Sequence, residues 1–292
     1  MSDNHVVEVI RAVGRETGVP EEVVEAVVRR MLPSIRLVPE FPQKGEAPSV
    51  GRCRIGGVPD LPEGVEWPRL TTDAIGASGS VVPAGTPLSF LVQVNLAEVA
   101  FADLEQLLPR SGMLYFFFHG GVGDRDVAAV LFARGARVHR TTTPLDPPPD
   151  YLYRGFDLVP NLEWTVPLPG DLGLADHLKL GDEFQDRALG LWDELEDRVA
   201  AVQGYESPRT YGRGYAVHRL LGHAQFIQAD GMGQLERLLL QVSTDAGLSQ
   251  DGYPESGIGA TWHDCGRIYY LLDNESLKSH RFAETFVTVE CA

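Results

Sequence analysis

Histidine, aspartate, cysteine and glutamine at a few spacings are where this chain could carry chemistry. The stretch HGGVGDRD sets His119 near Asp124 and Asp126, and WHDCG sets His263 and Asp264 beside Cys265. Imidazole and carboxylate are donors that zinc accepts, and Asp124 and Asp126 could share one face of an extended chain. Adjacent strand residues point to opposite faces, so His263 and Asp264 would need a bent loop to act together. Asp124 and Asp126 read more simply as the polar decoration of an exposed hairpin turn, so neither a metal nor any other cofactor is expected. A thiolate at Cys265 would need His263 to converge on it and a lowered thiol pKa, which proximity in sequence does not supply. His218 and His223 miss the i, i+4 spacing of H-E-x-x-H and read as hydrogen-bonding residues. No G-x-S-x-G, P-loop or strand-linked G-x-G-x-x-G is present.

Two glutamines are more telling. Gln93 interrupts FLVQVNLAEV and Gln241 interrupts LLLQVSTDAG, each at the same place in an apolar strand. Aligning them sets Val92 and Val94 opposite Leu240 and Val242, and aligning Gly112 with Gly266 sets Tyr115 opposite Tyr269. Gly56-Gly57 has a weaker echo at Gly222-His223, so three features recur in one order, as in an internal duplication. A buried amide must find partners, and the plain reading is that each glutamine ties its strand to a neighbouring loop backbone. The functional reading is a polar cleft shared between the copies, with Gln93, Gln241, Trp262, His263 and Asp264 as candidate binding residues.

The elements that must position these residues follow from periodicity. Helices are expected over 6–16 and 20–31 from valine and isoleucine stripes, and over 184–202. A further helix is expected from Leu96 to a stop at Pro109. Strands are expected at 35–38, 52–55, 88–95, 113–118, 127–133, 162–166, 238–243, 267–272 and 286–290. In 88–95, alternation predicts Leu88, Phe90, Val92 and Val94 on one face. The proline- and glycine-rich residues 33–87 should wrap a surface, with Trp67 a structural tryptophan. The loop 244–264 stands where the first copy has its helix, and its length favours a functional role.

The chain has 292 residues, 43% hydrophobic and 23% charged, enough to bury a large core. No apolar run approaches the ~18 residues that cross a bilayer, and the first residues lack a basic segment followed by an apolar one, so a cytoplasmic protein is expected. Three scattered cysteines support neither a disulfide framework nor a zinc knuckle. A formal charge of −16 opposes nucleic acid and anionic membrane and favours a basic protein partner. Oligomeric state is not legible.

The runs RCRIGGVPDLPEGVEWPR, PLSFLVQVNLAEV, LPRSGMLYFFF, HRLLGHAQFIQADG, LLLQVSTD and WHDCGRIYYLL, in that order, resemble the YwqG-like family of bacterial proteins over about residues 33–292. The resemblance implies a mixed, β-rich fold with a pseudo-repeat and at most an immunity or accessory role. His263 stands where the family shows a small residue in its W-G-D-x-G stretch, and His223 departs from the earlier glycine pair. The expectation is therefore an α+β, β-rich protein: an N-terminal helical segment over 1–38, then a β-rich domain over 39–292 with repeats near 49–140 and 211–292. A non-enzymatic binding protein is expected, an immunity-type or accessory factor for a basic protein partner. The alternative is a hydrolase or other small-molecule enzyme using the 244–264 loop.

Overall fold

Valine and isoleucine recurring at three and four residues make the first two elements amphipathic helices. α1 (Asp3–Thr17) buries Val6, Ile10 and Val13; α2 (Glu21–Arg29) buries Val23, Val24 and Val27 and carries glutamates at its start and an arginine at its end. The computed structural model describes residues 3–40, 48–75, 80–119, 128–135, 137–145, 152–168, 192, 194–205, 217–227, 236–245, 258–262 and 266–290. Among these, no helix is long and apolar enough to cross a membrane.

After the helices come β1 (Leu32–Glu40), β2 (Arg54–Ile55), β3 (Asp60–Pro62), β4 (Ala74–Ile75), β5 (Val81–Val82), β6 (Ser89–Asn95), the short α3 (Leu96–Val99), β7 (Met113–Phe118), β8 (Ala128–Ala133), β9 (Val138–Arg140) and β10 (Phe156–Thr165). The rest comprises α4 (helical at 194–202), β11 (His218–Leu220), β12 (Glu236–Ser243), β13 (Arg267–Asp273), α5 (Asn274–Lys278) and β14 (Phe286–Glu290). Ten strands join one sheet in the order β14-β13-β12-β11-β1-β10-β2-β6-β7-β8, every pair antiparallel. β1, which contains the strand expected at 35–38, lies at the middle of the sheet.

The strands read as apolar runs because both faces of the sheet are covered. One face collects Ile35, Leu37, Val92, Val94, Phe116, Leu240, Val242 and Tyr270 into a single core. The other packs Phe90, Tyr115 and Phe117 under the proline-rich wrap at one end, and Leu238, Tyr269 and Leu271 at the other. Trp67 belongs to that wrap, its indole N–H donating to the Leu88 carbonyl at 2.7 Å. The sheet curls until its wings meet: the Tyr270 hydroxyl donates to the Phe117 carbonyl at 3.0 Å, and the Phe116–Tyr270 and Phe132–Phe282 ring centroids lie 5.1 and 5.4 Å apart. The architecture is β-rich, a nearly closed barrel-like sheet with few helices.

Two local expectations are corrected. The helix expected from Leu96 to Pro109 stops at Val99, because the Asp103 carboxylate accepts the N–H groups of Leu107 and Leu108 at 3.1 and 2.8 Å and folds this stretch into turns. The alternation expected through 88–95 is broken by a bulge between Phe90 and Val92, so Phe90 faces the outer cluster while Leu91, Val92 and Val94 face the inner core. The 184–202 helix is described at 192 and 194–202, where Trp192, Leu195 and Val199 pack with α1 and α2.

Candidate functional site

A buried aspartate must be neutralised by partners. Asp60, fully buried, takes Arg54 Nη2 at 2.9 Å and Arg140 Nε at 2.6 Å. It also takes the Gly51 N–H at 2.8 Å and Gln93 Nε2 at 2.8 Å. Gln93 sits on β6 between Arg54 and Tyr115 in the register. Its Oε1 accepts the Asp60 N–H at 2.7 Å, its Nε2 also donates to the Arg52 carbonyl at 2.8 Å, and the Tyr115 hydroxyl donates to the Asp60 carbonyl at 2.6 Å. Burial pushes the Asp60 carboxyl up, but Arg54, Arg140 and the amide donors together hold it below its ordinary value. A depressed folded-state pKa adds stability that is fully present above the unfolded value of about 3.9 and lost as pH falls through the folded value. The stability gap between wild type and Asp60→Asn, measured by urea unfolding, is expected to stay constant above about pH 4 and to narrow below it. A gap independent of pH would refute the assignment.

Gln241 on β12 makes the corresponding bonds with other partners. It lies between Arg219 and Tyr269 in the register; its Oε1 accepts the Gln225 N–H at 2.9 Å, and its Nε2 donates to the Val217 carbonyl at 3.1 Å and to Gln225 Oε1 at 3.4 Å. The Tyr269 hydroxyl donates to the Gln225 carbonyl at 2.7 Å. Arg54 Nη1 reaches the Val58 carbonyl at 2.9 Å, as Arg219 Nη1 reaches that of His223 at 3.2 Å. β12 carries its bulge between Leu238 and Leu240, as β6 does between Phe90 and Val92. Left-handed φ values of 65° and 70° at Gly56 and Gly57 have counterparts of 59° and 71° at Leu221 and Gly222, one residue earlier than the echo read at Gly222-His223. The two glutamines thus serve separate loops, and their hydrogen bonds share no residue.

The partners differ in charge. Arg54 lies opposite Asp157 on β10, at 3.9 Å, and holds Asp60. Arg219 lies opposite Arg36 on β1 and has Gln225 where Arg54 has Asp60. Both Arg36 and Arg219 reach a single oxygen, Glu163 Oε1, at 3.4 and 3.2 Å. Burial pulls the Arg219 guanidinium below its ordinary value, with Glu163 opposing that shift. Beside this trio is a small cleft of about 20 Å³, lined by Arg36, Glu163, Trp164, Glu196, Arg219 and Gln225 among others. Glu163 Oε2, Arg219 Nε and Trp164 Nε1 are buried without a hydrogen-bond partner among the described residues. The Arg36 guanidinium lies over the Tyr205 ring, 4.9 Å from its centroid. Burial pushes the Glu196 carboxyl up, and Arg219 and Arg267 counter it in part.

Sequence reading missed Arg36, Glu163 and Arg219. The available signal was charge inside apolar strands, as in SIRLV and HRLL, since buried arginines and glutamates are rare unless paired. Of the expected binding residues, Trp262 packs in the inner core, with ring centroids 6.0 Å from Phe118 and 5.5 Å from Tyr153. His263 and Asp264 lie outside the described residues, as do Asp124, Asp126 and Cys265. His223 Nε2 is 2.7 Å from the Arg30 carbonyl, and buried His218 lies 3.6 Å from Asp245 Oδ2. Among the described residues, no three His, Cys, Asp or Glu side chains converge as a metal would require.

A family model described as a domain of unknown function, DUF1963, matches residues 53–291. No curated protein matches the chain.

Proposed function

The chain belongs to the DUF1963 family, a domain of unknown function, and on that premise we propose that it is a non-enzymatic binding protein built from two related β units. The motif order supports a YwqG-like relationship within the family. Duplication is supported by the matching bonds of Gln93 and Gln241, the bulges at Phe90/Val92 and Leu238/Leu240, and the left-handed pairs at 56–57 and 221–222. In the first unit the buried arginine is neutralised by its own loop. In the second it faces a cleft.

The observation that carries the binding reading is that cleft, lined by three residues whose buried polar atoms have no partner among the described residues, because such groups cost about 1–3 kcal/mol each unless something completes them. Native mass spectrometry of protein from its own host, followed by denaturing extraction, is expected to release a small molecule that Arg36→Gln fails to retain. If the extract is empty and no member of a broad metabolite library shifts the melting temperature, the binding reading falls.

A second reading, a basic protein partner held by an immunity-type or accessory factor, rests on the formal charge of −16. Pull-down at low salt is expected to recover a basic protein whose capture weakens as salt rises. Failure to recover one, or capture indifferent to salt, removes this reading.

A further inference from the structure

We infer that α1, α2 and α4 form a cap that opens from the sheet as one unit while the strands stay folded. The inference goes beyond the binding reading above and stands or falls apart from it.

The three helices share a core of their own. Val6 and Ile10 of α1 and Val23 and Val27 of α2 pack with Leu195 and Val199 of α4, while the chain leaving β10 contributes Val166, with Trp164 partly buried against them. Surface ion pairs also tie helix to helix, Arg11 to Glu25 at 2.7 Å and Arg198 of α4 to Glu16 of α1. Elements that pack on one another more than on their support open together.

The support is charged. α4 faces the central strands across the small cleft, with Glu196, Val199 and Gln203 on one wall and Arg36, Glu163 and Arg219 on the other. Burying charged walls gains little of the apolar driving force that covers Phe90, Tyr115 and Phe117 at one end of the sheet or Leu238, Tyr269 and Leu271 at the other. Glu163 Oε2, Arg219 Nε and Trp164 Nε1 lack hydrogen bonds while the cap is closed, and opening lets water reach them. Closure also draws Glu196 out of water. Burial holds its carboxyl above the ordinary range against the pull of Arg219 and Arg267, so its charge works against closure at neutral pH.

Polar bonds hold the cap down. β10 pairs with β1 along its length but with β2 at 156 and 157, so among the described residues no strand lies beside Trp164 on that edge. The Gln203 amide, just past α4, stands in for one: its Oε1 accepts the Trp164 N–H at 2.6 Å and its Nε2 donates to the Trp164 carbonyl at 3.0 Å. Trp192 Nε1 donates to the Pro167 carbonyl, and His223 Nε2 lies 2.7 Å from the Arg30 carbonyl, where α2 gives way to β1.

Native-state hydrogen exchange of the whole chain in sub-denaturing urea tests the cap, comparing peptides from 3–29 and 194–202 with peptides from β6, β7, β12 and β13. The helices are expected to share one opening, populated at least about tenfold more than the one that releases the sheet and with a weaker urea dependence. Gln203→Ala loses its bonds in either opening, so it should speed exchange at least about fivefold in helices and sheet alike. Ile268→Val trims the inner core, which stays formed while the cap is open, so it should speed the sheet about fivefold and leave the helices unchanged. If helices and sheet of the wild type exchange through a single opening with one urea dependence, or Ile268→Val speeds both alike, the cap does not open by itself and the inference is wrong. Helices that exchange no faster in Gln203→Ala than in wild type overturn it as well.

Discussion

Gly56→Ala is expected to abolish folding or to cost at least about 4 kcal/mol, whereas Gly64→Ala should cost about 1–2 kcal/mol. Both glycines have positive φ, +65° and +80°. They differ in what a side chain would meet: a Cβ at Gly56 would lie 2.0 Å from the Arg154 carbonyl oxygen, which is backbone, and one at Gly64 would meet nothing within 4 Å. The close approach is needed because the Gly56 N–H donates to the Leu91 carbonyl at 2.7 Å and the Gly57 N–H to that of Tyr153 at 2.8 Å, clamping β2 between the β6 bulge and the chain entering β10. Urea unfolding of both variants separates the effects. Equal losses would mean that φ alone, and not the contact with 154, dictates glycine at 56.

Asp60→Ala should be the most damaging polar substitution, costing about 3–5 kcal/mol, because it leaves Arg54, only 1% exposed, without its close carboxylate. Gln225→Ala removes a neutral side chain from the corresponding place and should cost about 1–3 kcal/mol. Denaturant midpoints of the two variants at pH 7 make the comparison. If they agree, the charge difference between the two loops has no energetic meaning and the case for an open second site weakens with it.

Much of the sheet was legible because its strands are buried on both faces and so appear as uninterrupted apolar runs. Met113–Phe118 and Phe286–Glu290 match their expected bounds at both ends. The helix after β6 was misread because leucine spacing there mimics a helix, while one side chain, Asp103, takes the backbone N–H groups a helix would use. Bulges were invisible, since each arises from a mismatch between two strands and not from either alone. Gln93 and Gln241 were found as a pair by their strand positions, and their separate surroundings could not be. The cleft escaped altogether: Arg36, Glu163 and Arg219 come from β1, β10 and β11 and meet only once the central strands pair.

The pairing of β1 with β10, Leu32 opposite Thr165, also sets a timetable for biosynthesis. β1, ending at Glu40, leaves the ribosome well before its neighbours on both sides, β10 from Phe156 and β11 from His218. Until then it is an apolar edge with unpaired amides, open to mispairing with another nascent chain. Long-range closure of this kind makes assembly slow and late, so the helices of residues 3–29, already translated, are the elements at hand to shelter that edge while it waits.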